Sequence, residues 1–142
     1  MQTIRQILDR KGEQVWAVSP ADSVLDAVRR MAELHIGAVL VMDGGALVGI
    51  FSERDYARRI ILEGRTSRET RVAEIMTPNP VTVALDLSAD AGLALMTERR
   101  FRHLPVLEQG QVVGVVSIGD LVNAVLADQR ELIKQLELYV SS

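Results

Sequence analysis

Two four-residue sequences in this chain have the types and spacing to do chemistry: Ser52-Glu53-Arg54-Asp55 and Ser117-Ile118-Gly119-Asp120. Each follows directly on a short apolar run opened by glycine, Gly49-Ile50-Phe51 in one case and Gly114-Val115-Val116 in the other. A serine three residues before an acid fits a helix N-cap with its return bond, which stabilises a helix start by ~1 kcal/mol. The same placement has a second meaning. A helix that opens at the end of a buried strand presents free amides and a partial positive charge, both suited to phosphate. A carboxylate one turn in repels phosphate, but it accepts hydrogen bonds from two neighbouring ribose hydroxyls. Phosphate on amides and ribose on an acid together describe a nucleotide, and on these residues alone both readings stay open.

The two sequences are not isolated coincidences, because the segments around them repeat. With residues 36–56 laid on 101–121, an offset of 65, six positions are identical: Val41/Val106, Gly45/Gly110, Val48/Val113, Gly49/Gly114, Ser52/Ser117 and Asp55/Asp120. Ordinary composition would give about one. Val18/Val83, Ser23/Ser88, Met31/Met96 and Glu33/Glu98 hold the same offset upstream, whereas Ile7-Leu8 matches Ile75-Met76 at 68, which places a three-residue insertion at 11–14.

Each copy reads as β-α-β-β-α, an α/β pattern with small sheets. In the first, Val15–Val18 is a strand, Asp22 or Ser23 caps a helix ending near Ile36-Gly37, and the continuous apolar run Ala38–Met42 is a buried strand. Asp43-Gly44-Gly45 makes a hairpin turn into Leu47–Phe51, and a helix follows Ser52. The second copy repeats this as Val81–Val83, a helix from Ser88 to Arg100, Leu104–Leu107, a turn at Gln109-Gly110, Val112–Val116 and a helix after Ser117. The expected partition is residues 1–64 for the first repeat with an N-terminal helix, 65–71 for a polar linker, and 72–142 for the second repeat with a C-terminal helix. A copy of ~60 residues buries too little surface to be comfortable alone, so the repeats are expected to pack with pseudo-two-fold symmetry, leaving one cleft per repeat.

Composition removes other classes. The chain has 142 residues, 48% apolar and 25% charged, which is globular usage. It has no cysteine, hence no disulfide or thiolate chemistry, and suits a reducing compartment, so the cytoplasm is expected. A net charge of −3 gives no general attraction to nucleic acid or anionic lipid, and no stretch approaches the ~18 apolar residues of a membrane helix. The two histidines, His35 and His103, lack the carboxylate motifs that would make a metal site or a triad. His35 reads as a charge at a helix end, and the single Trp16 as core packing in preference to base stacking. Arg65, Arg68 and Arg71 are the densest positive charge and read as a solvated connector. The apolar stripe of 121–139, including Leu132, Ile133, Leu136 and Tyr139, is expected to cover the second repeat and, at its far end, a second subunit.

The duplicated Gly-apolar-apolar-Ser-x-x-Asp, with His103-Leu104-Pro105-Val106 and Ile75-Met76-Thr77, resembles the cystathionine-β-synthase (CBS) domain pair, or Bateman module, over nearly the whole chain. Phe51-Ser52-Glu53-Arg54-Asp55-Tyr56, Glu63-Gly64-Arg65-Thr66-Ser67 and Val116-Ser117-Ile118-Gly119-Asp120 look like the small stand-alone members of bacteria and plant organelles. The resemblance implies an adenine nucleotide (AMP, ADP, ATP or NADH) in the clefts between repeats, and association as a homodimer. It places the motif acids Asp55 and Asp120 on ribose, and Ser52 and Ser117 near ribose or phosphate. The expected set is Ser117, Ile118, Gly119, Asp120, Arg102, His103, Pro105 and Val83 in the second cleft, and Ser52, Arg54 and Asp55 in the first.

The second cleft ranks higher, because Ile118-Gly119 leaves the helix start open to phosphate where the first copy sets Glu53 beside Arg54. Arg102 and His103 either face phosphate or base there or stand as solvated charges on a turn. The family's proline in the middle strand occurs only as Pro105, with Leu40 in the first copy. No catalytic cofactor is expected, and the function expected is a non-enzymatic regulator that reports nucleotide occupancy to a partner protein. The alternative is an interaction or dimerisation module indifferent to nucleotide, in which the acids are only caps. Hydrolysis lacks both a Gly-x-x-x-x-Gly-Lys-[Ser/Thr] loop and an acid cluster for metal.

Overall fold

The computed structural model describes residues 1–12 and 14–141, so the expected insertion at 11–14 and the last residue of the expected second repeat lie partly outside the described residues, at Glu13 and Ser142. Two compact units form, Val15–Val81 and Met1–Gln14 together with Thr82–Ser142.

In the Val15–Val81 unit, β1 (Ala17–Val18) runs parallel to β2 (Ala38–Asp43), which pairs antiparallel with β3 (Ala46–Ser52). Between them lies α2 (Val24–Leu34), capped by Ser23, whose hydroxyl accepts from Asp26 N–H at 3.1 Å. Asp22 instead accepts from Ser19 N–H. The turn into β3 takes Gly44 at φ 57° and Gly45 at φ 85°, values that glycine adopts without steric cost. After Ser52 the chain makes only three α-helical residues, α3 (Glu53–Asp55), and continues as a π-helical turn over Tyr56–Ile61. Then α4 (Val72–Ile75) leads into β4 (Thr77–Pro78), which pairs with β3 and completes a four-stranded sheet. Val39, Val41, Phe51, Met31 and Ile75 lie in its core, with Trp16 packed at the margin and the Arg30 guanidinium 5.6 Å from the indole centroid.

The segment 65–71 is more engaged than a solvated linker. Ser67 and Thr70 carbonyls accept from Leu25 and Val24 N–H at the start of α2, and Thr70 is 4% exposed. Arg65 meets Glu74 at 2.7 Å, and Arg71 donates to Ala21 O.

The other unit repeats the plan. β5 (Val83–Ala84) is parallel to β6 (His103–Glu108), which is antiparallel to β7 (Gln111–Ser117), and α5 (Ala89–Arg99) lies between β5 and β6 in the chain. The register repeats at the same offset of 65: Ala38 pairs with Ser52 and His103 with Ser117, and the shifts fall at Val41/Met42 and Val106/Leu107. Even the left-handed helix ends coincide, at His35 (φ 55°) and Arg100 (φ 60°). From Ser117 the chain enters α6 (Ile118–Ser141), 24 residues whose buried members are Leu121 and Ala124.

The N-terminal helix α1 (Ile4–Lys11), which opens the first repeat in sequence, packs within this unit. Ile4 and Arg5 N–H donate to Leu87 and Leu85 carbonyls, and Ala89 N–H to Gln2 O. Its counterpart α4 sits reciprocally in the Val15–Val81 unit, so each unit takes its leading helix from the opposite side of the repeat boundary. Packing explains why Ile7-Leu8 matches Ile75-Met76. A Cβ on Gly114 would lie 2.8 Å from both δ carbons of Leu8, and one on Gly49 would lie 2.5 Å from Met76 Sδ. The repeated glycine exists because the leading helix fills the space of its missing side chain.

Candidate functional site

Strand β7 ends where α6 begins, and that junction sets the Asp120 carboxylate. Ser117 N–H donates to Asp120 Oδ2 at 2.8 Å, and Asp120 N–H donates to Ser117 Oγ at 3.2 Å. Ser52 and Asp55 make the same pair of bonds at 2.9 and 3.2 Å, with a third from Ser52 Oγ to Asp55 Oδ2. Both acids therefore cap their own helices, as the simpler reading of Ser-x-x-Asp expects.

Capping uses only part of a carboxylate, which has about four acceptor positions on two oxygens. At Asp55 the remaining oxygen is also engaged, because Thr77 Oγ1 donates to Oδ1 at 3.2 Å. At Asp120 every hydrogen bond falls on Oδ2, leaving Oδ1 open among the described residues. The Asp120 side chain is 24% exposed.

Lys11 at the end of α1 is the residue that sequence reasoning missed. Its ammonium donates to Asp120 Oδ2 at 2.6 Å and to Val115 O at 3.0 Å. Lys11 and Asp120 are 109 residues apart. The available signal was the match of Ile7-Leu8 with Ile75-Met76, which made the leading segments equivalent without saying which repeat each one serves.

Amides at the helix start are fewer than the sequence implied. Ile118 N–H donates to Arg102 O at 2.8 Å and Asp120 N–H to Ser117, leaving Gly119 N–H unbonded among the described residues. Glu53 N–H is likewise taken, by Gly37 O at 3.0 Å. Arg102 is exposed and His103 half-buried, at the start of β6 and opposite Ser117. Val83 and Pro105 are buried in the β5–β6–β7 sheet. Arg54 is exposed at the start of α3.

The charges around Asp120 act on one another. Burial opposes ionisation of its carboxyl, but the Lys11 ammonium and the Ser117 N–H outweigh that and hold it below its ordinary value. His103 is held below its ordinary value of 6.5, first by burial and then by the nearby Lys11 charge, with Asp120 pulling the other way. A histidine that binds its proton more readily when unfolded contributes stability that is present above pH 6.5 and lost as pH falls toward its folded-state value. The parent should therefore lose melting temperature between about pH 7.5 and about pH 5.5 by more than a His103→Gln variant does. Equal losses in thermal melts would show that His103 is not held neutral.

Among the described residues no group of three or more His, Asp or Glu could hold a metal, and no helix is long and apolar enough to cross a membrane.

With this geometry in hand, comparison with known proteins is direct. The CBS domain family model matches residues 4–62 and again 72–127. CBSX3, a mitochondrial CBS domain-containing protein of Arabidopsis thaliana, is 38% identical over 148 residues, covering 97% of this chain and 71% of that protein. The chain spans only 19% of CBSCBSPB2 from the same plant. A solved structure of a protein with CBS domains from Burkholderia ambifaria is 50% identical, with a TM-score of 0.86 over 90% of this chain and 96% of that one. CBSX2, solved in complex with AMP, is 26% identical with a TM-score of 0.72, over 91% and 99% of the two chains. A repeated β-β hairpin closed by Ser-x-x-Asp, and a family match to each repeat, place the chain among the CBS-domain proteins, as a tandem pair.

Proposed function

We propose that this chain is a non-enzymatic regulatory module that binds an adenine nucleotide, AMP, ADP, ATP or NADH, at the Ser-x-x-Asp faces of its units, and passes the occupancy to a partner protein. The carrying observation is the open Asp120 Oδ1 and the unbonded Gly119 amide at one helix start, with the Lys11 ammonium on the same acid and His103 within reach of both charges. Oδ1 accepts ribose hydroxyls while Oδ2 keeps the helix capped, so the capping and binding roles of one acid are compatible. The AMP complex of CBSX2 supports the ligand class. Both Asp55 oxygens already have partners, which ranks the Ser52–Asp55 face second. The cysteine-free composition suits a reducing compartment such as the cytosol. A ligand that binds one arrangement of the module better than another shifts its population, and the partner responds to that shift.

The second reading is a module that binds protein, including its own second copy, whatever the nucleotide. It is favoured by the reciprocal caps and by the exposure of Leu132, Ile133 and Leu136 on α6. Calorimetric titration with AMP, ATP and NADH separates the two. Saturable heat with at least one of them is expected, and silence with all three leaves the interaction module. On prolonged incubation the nucleotide should be recovered unchanged, and released phosphate would identify a hydrolase instead.

A further inference from the structure

Lys11 distinguishes the two motif faces by charge. The Lys11 ammonium stands 2.6 Å from Asp120 Oδ2, a fixed positive charge against the one carboxylate, and burial holds the neighbouring His103 imidazole below its ordinary value. At the offset of 65, the first repeat has Gly37 in place of Arg102 and Ala38 in place of His103. The second partner of its motif acid is the uncharged Thr77 hydroxyl. Among the described residues no cation is bonded to Asp55. An ammonium has three donors, and Lys11 uses two, on Asp120 and Val115 O. The third is uncommitted among the described residues, on a side chain 41% exposed and anchored through its charge next to the acid that would hold the sugar.

We infer that Lys11 is the specificity-determining residue of the Asp120 face, selecting adenosine compounds that carry phosphate over those that do not. The inference rests on the nucleotide reading above and names the feature of the ligand that the site weighs. Lys11 contributes in two ways. Its third N–H bonds a phosphate oxygen in a charge-assisted contact. Its charge also offsets the repulsion between Asp120 and that phosphate, which otherwise makes a carboxylate a poor neighbour for an anion. Neither contribution acts on adenosine, which has no anionic group.

The test is a ladder of ligands, adenosine, AMP, ADP and ATP, titrated calorimetrically into the parent, Lys11→Gln and Lys11→Arg, with thermal melts to verify folding. The parent is expected to bind AMP about tenfold more tightly than adenosine. Lys11→Gln should shrink that ratio about fivefold while adenosine affinity stays within about twofold, and Lys11→Arg should keep the ratio. Equal weakening of adenosine and AMP by Lys11→Gln would make Lys11 only a prop for Asp120 and overturn the inference, as would an unchanged ratio. In either case the nucleotide reading would survive. Failure of the parent to bind any member of the ladder would overturn both.

Discussion

Asp120→Ala is expected to weaken adenosine-nucleotide binding about ten- to a hundredfold, equivalent to ~1.5–3 kcal/mol, because it removes charge-assisted bonds to ribose hydroxyls. The same change deletes the acceptor for Ser117 N–H and the partner of Lys11, so some loss of stability accompanies it. Asp120→Asn separates the two effects. An asparagine oxygen still accepts from Ser117 N–H and keeps the cap, but it lacks the charge that strengthens a bond from a hydroxyl. The asparagine variant should thus melt above Asp120→Ala, short of the parent only by the Lys11 ion pair, and still bind nucleotide several-fold more weakly than the parent. Asp55→Ala should cost less binding, since both of its oxygens are already committed within the unit. Equal losses at the two positions would refute the ranking of the faces. An Asp120→Ala chain that melts lower but binds as well as the parent would reduce the motif to a helix cap.

Leu8→Ala should destabilise the chain by ~2–5 kcal/mol, as a fully enclosed leucine lost from a core does. Leu8 is 1% exposed and fills the position where Gly114 lacks a side chain. Gly114→Ala attacks the same contact from the other side. Its new methyl would sit 2.8 Å from both Leu8 δ carbons, and overpacking of that kind costs ~1–3 kcal/mol. The informative chain is the double variant, in which the added methyl enters the space the leucine has left. Its loss, read from denaturant midpoints, should be clearly smaller than the sum of the two single losses. Strict additivity would mean that α1 does not seat on Gly114 as described.

The hairpins were legible in the sequence because two local signals agreed: uninterrupted apolar runs such as Ala38–Met42 and a glycine turn between them. Ser23 and Ser88 were equally plain as caps. The repeat offset then predicted one register from the other, down to the shifts at Val41/Met42 and Val106/Leu107. What escaped were features with no local signature. The bond from Lys11 to Asp120 joins opposite ends of the chain, and nothing near Lys11 announces an anionic partner. The polar stretch at 65–71 looks like any solvated connector, yet its carbonyls close the start of α2, because backbone groups bond regardless of side-chain polarity. The π-helical turn at Tyr56–Ile61 likewise follows from no spacing that differs from an ordinary helix. At the motif itself, residue types gave the acid and the helix start. Only coordinates could reveal which carboxylate oxygen and which amide were already spoken for.

Because α1 and α4 are exchanged across the repeat boundary, the duplication cannot be undone by cutting the chain at its middle. A protease that nicked the exposed Glu63-Gly64 bond would leave a front piece still held in the back unit through α1, and a back piece still held in the front unit through α4. Each half of the sequence thus carries the leading helix of the other unit.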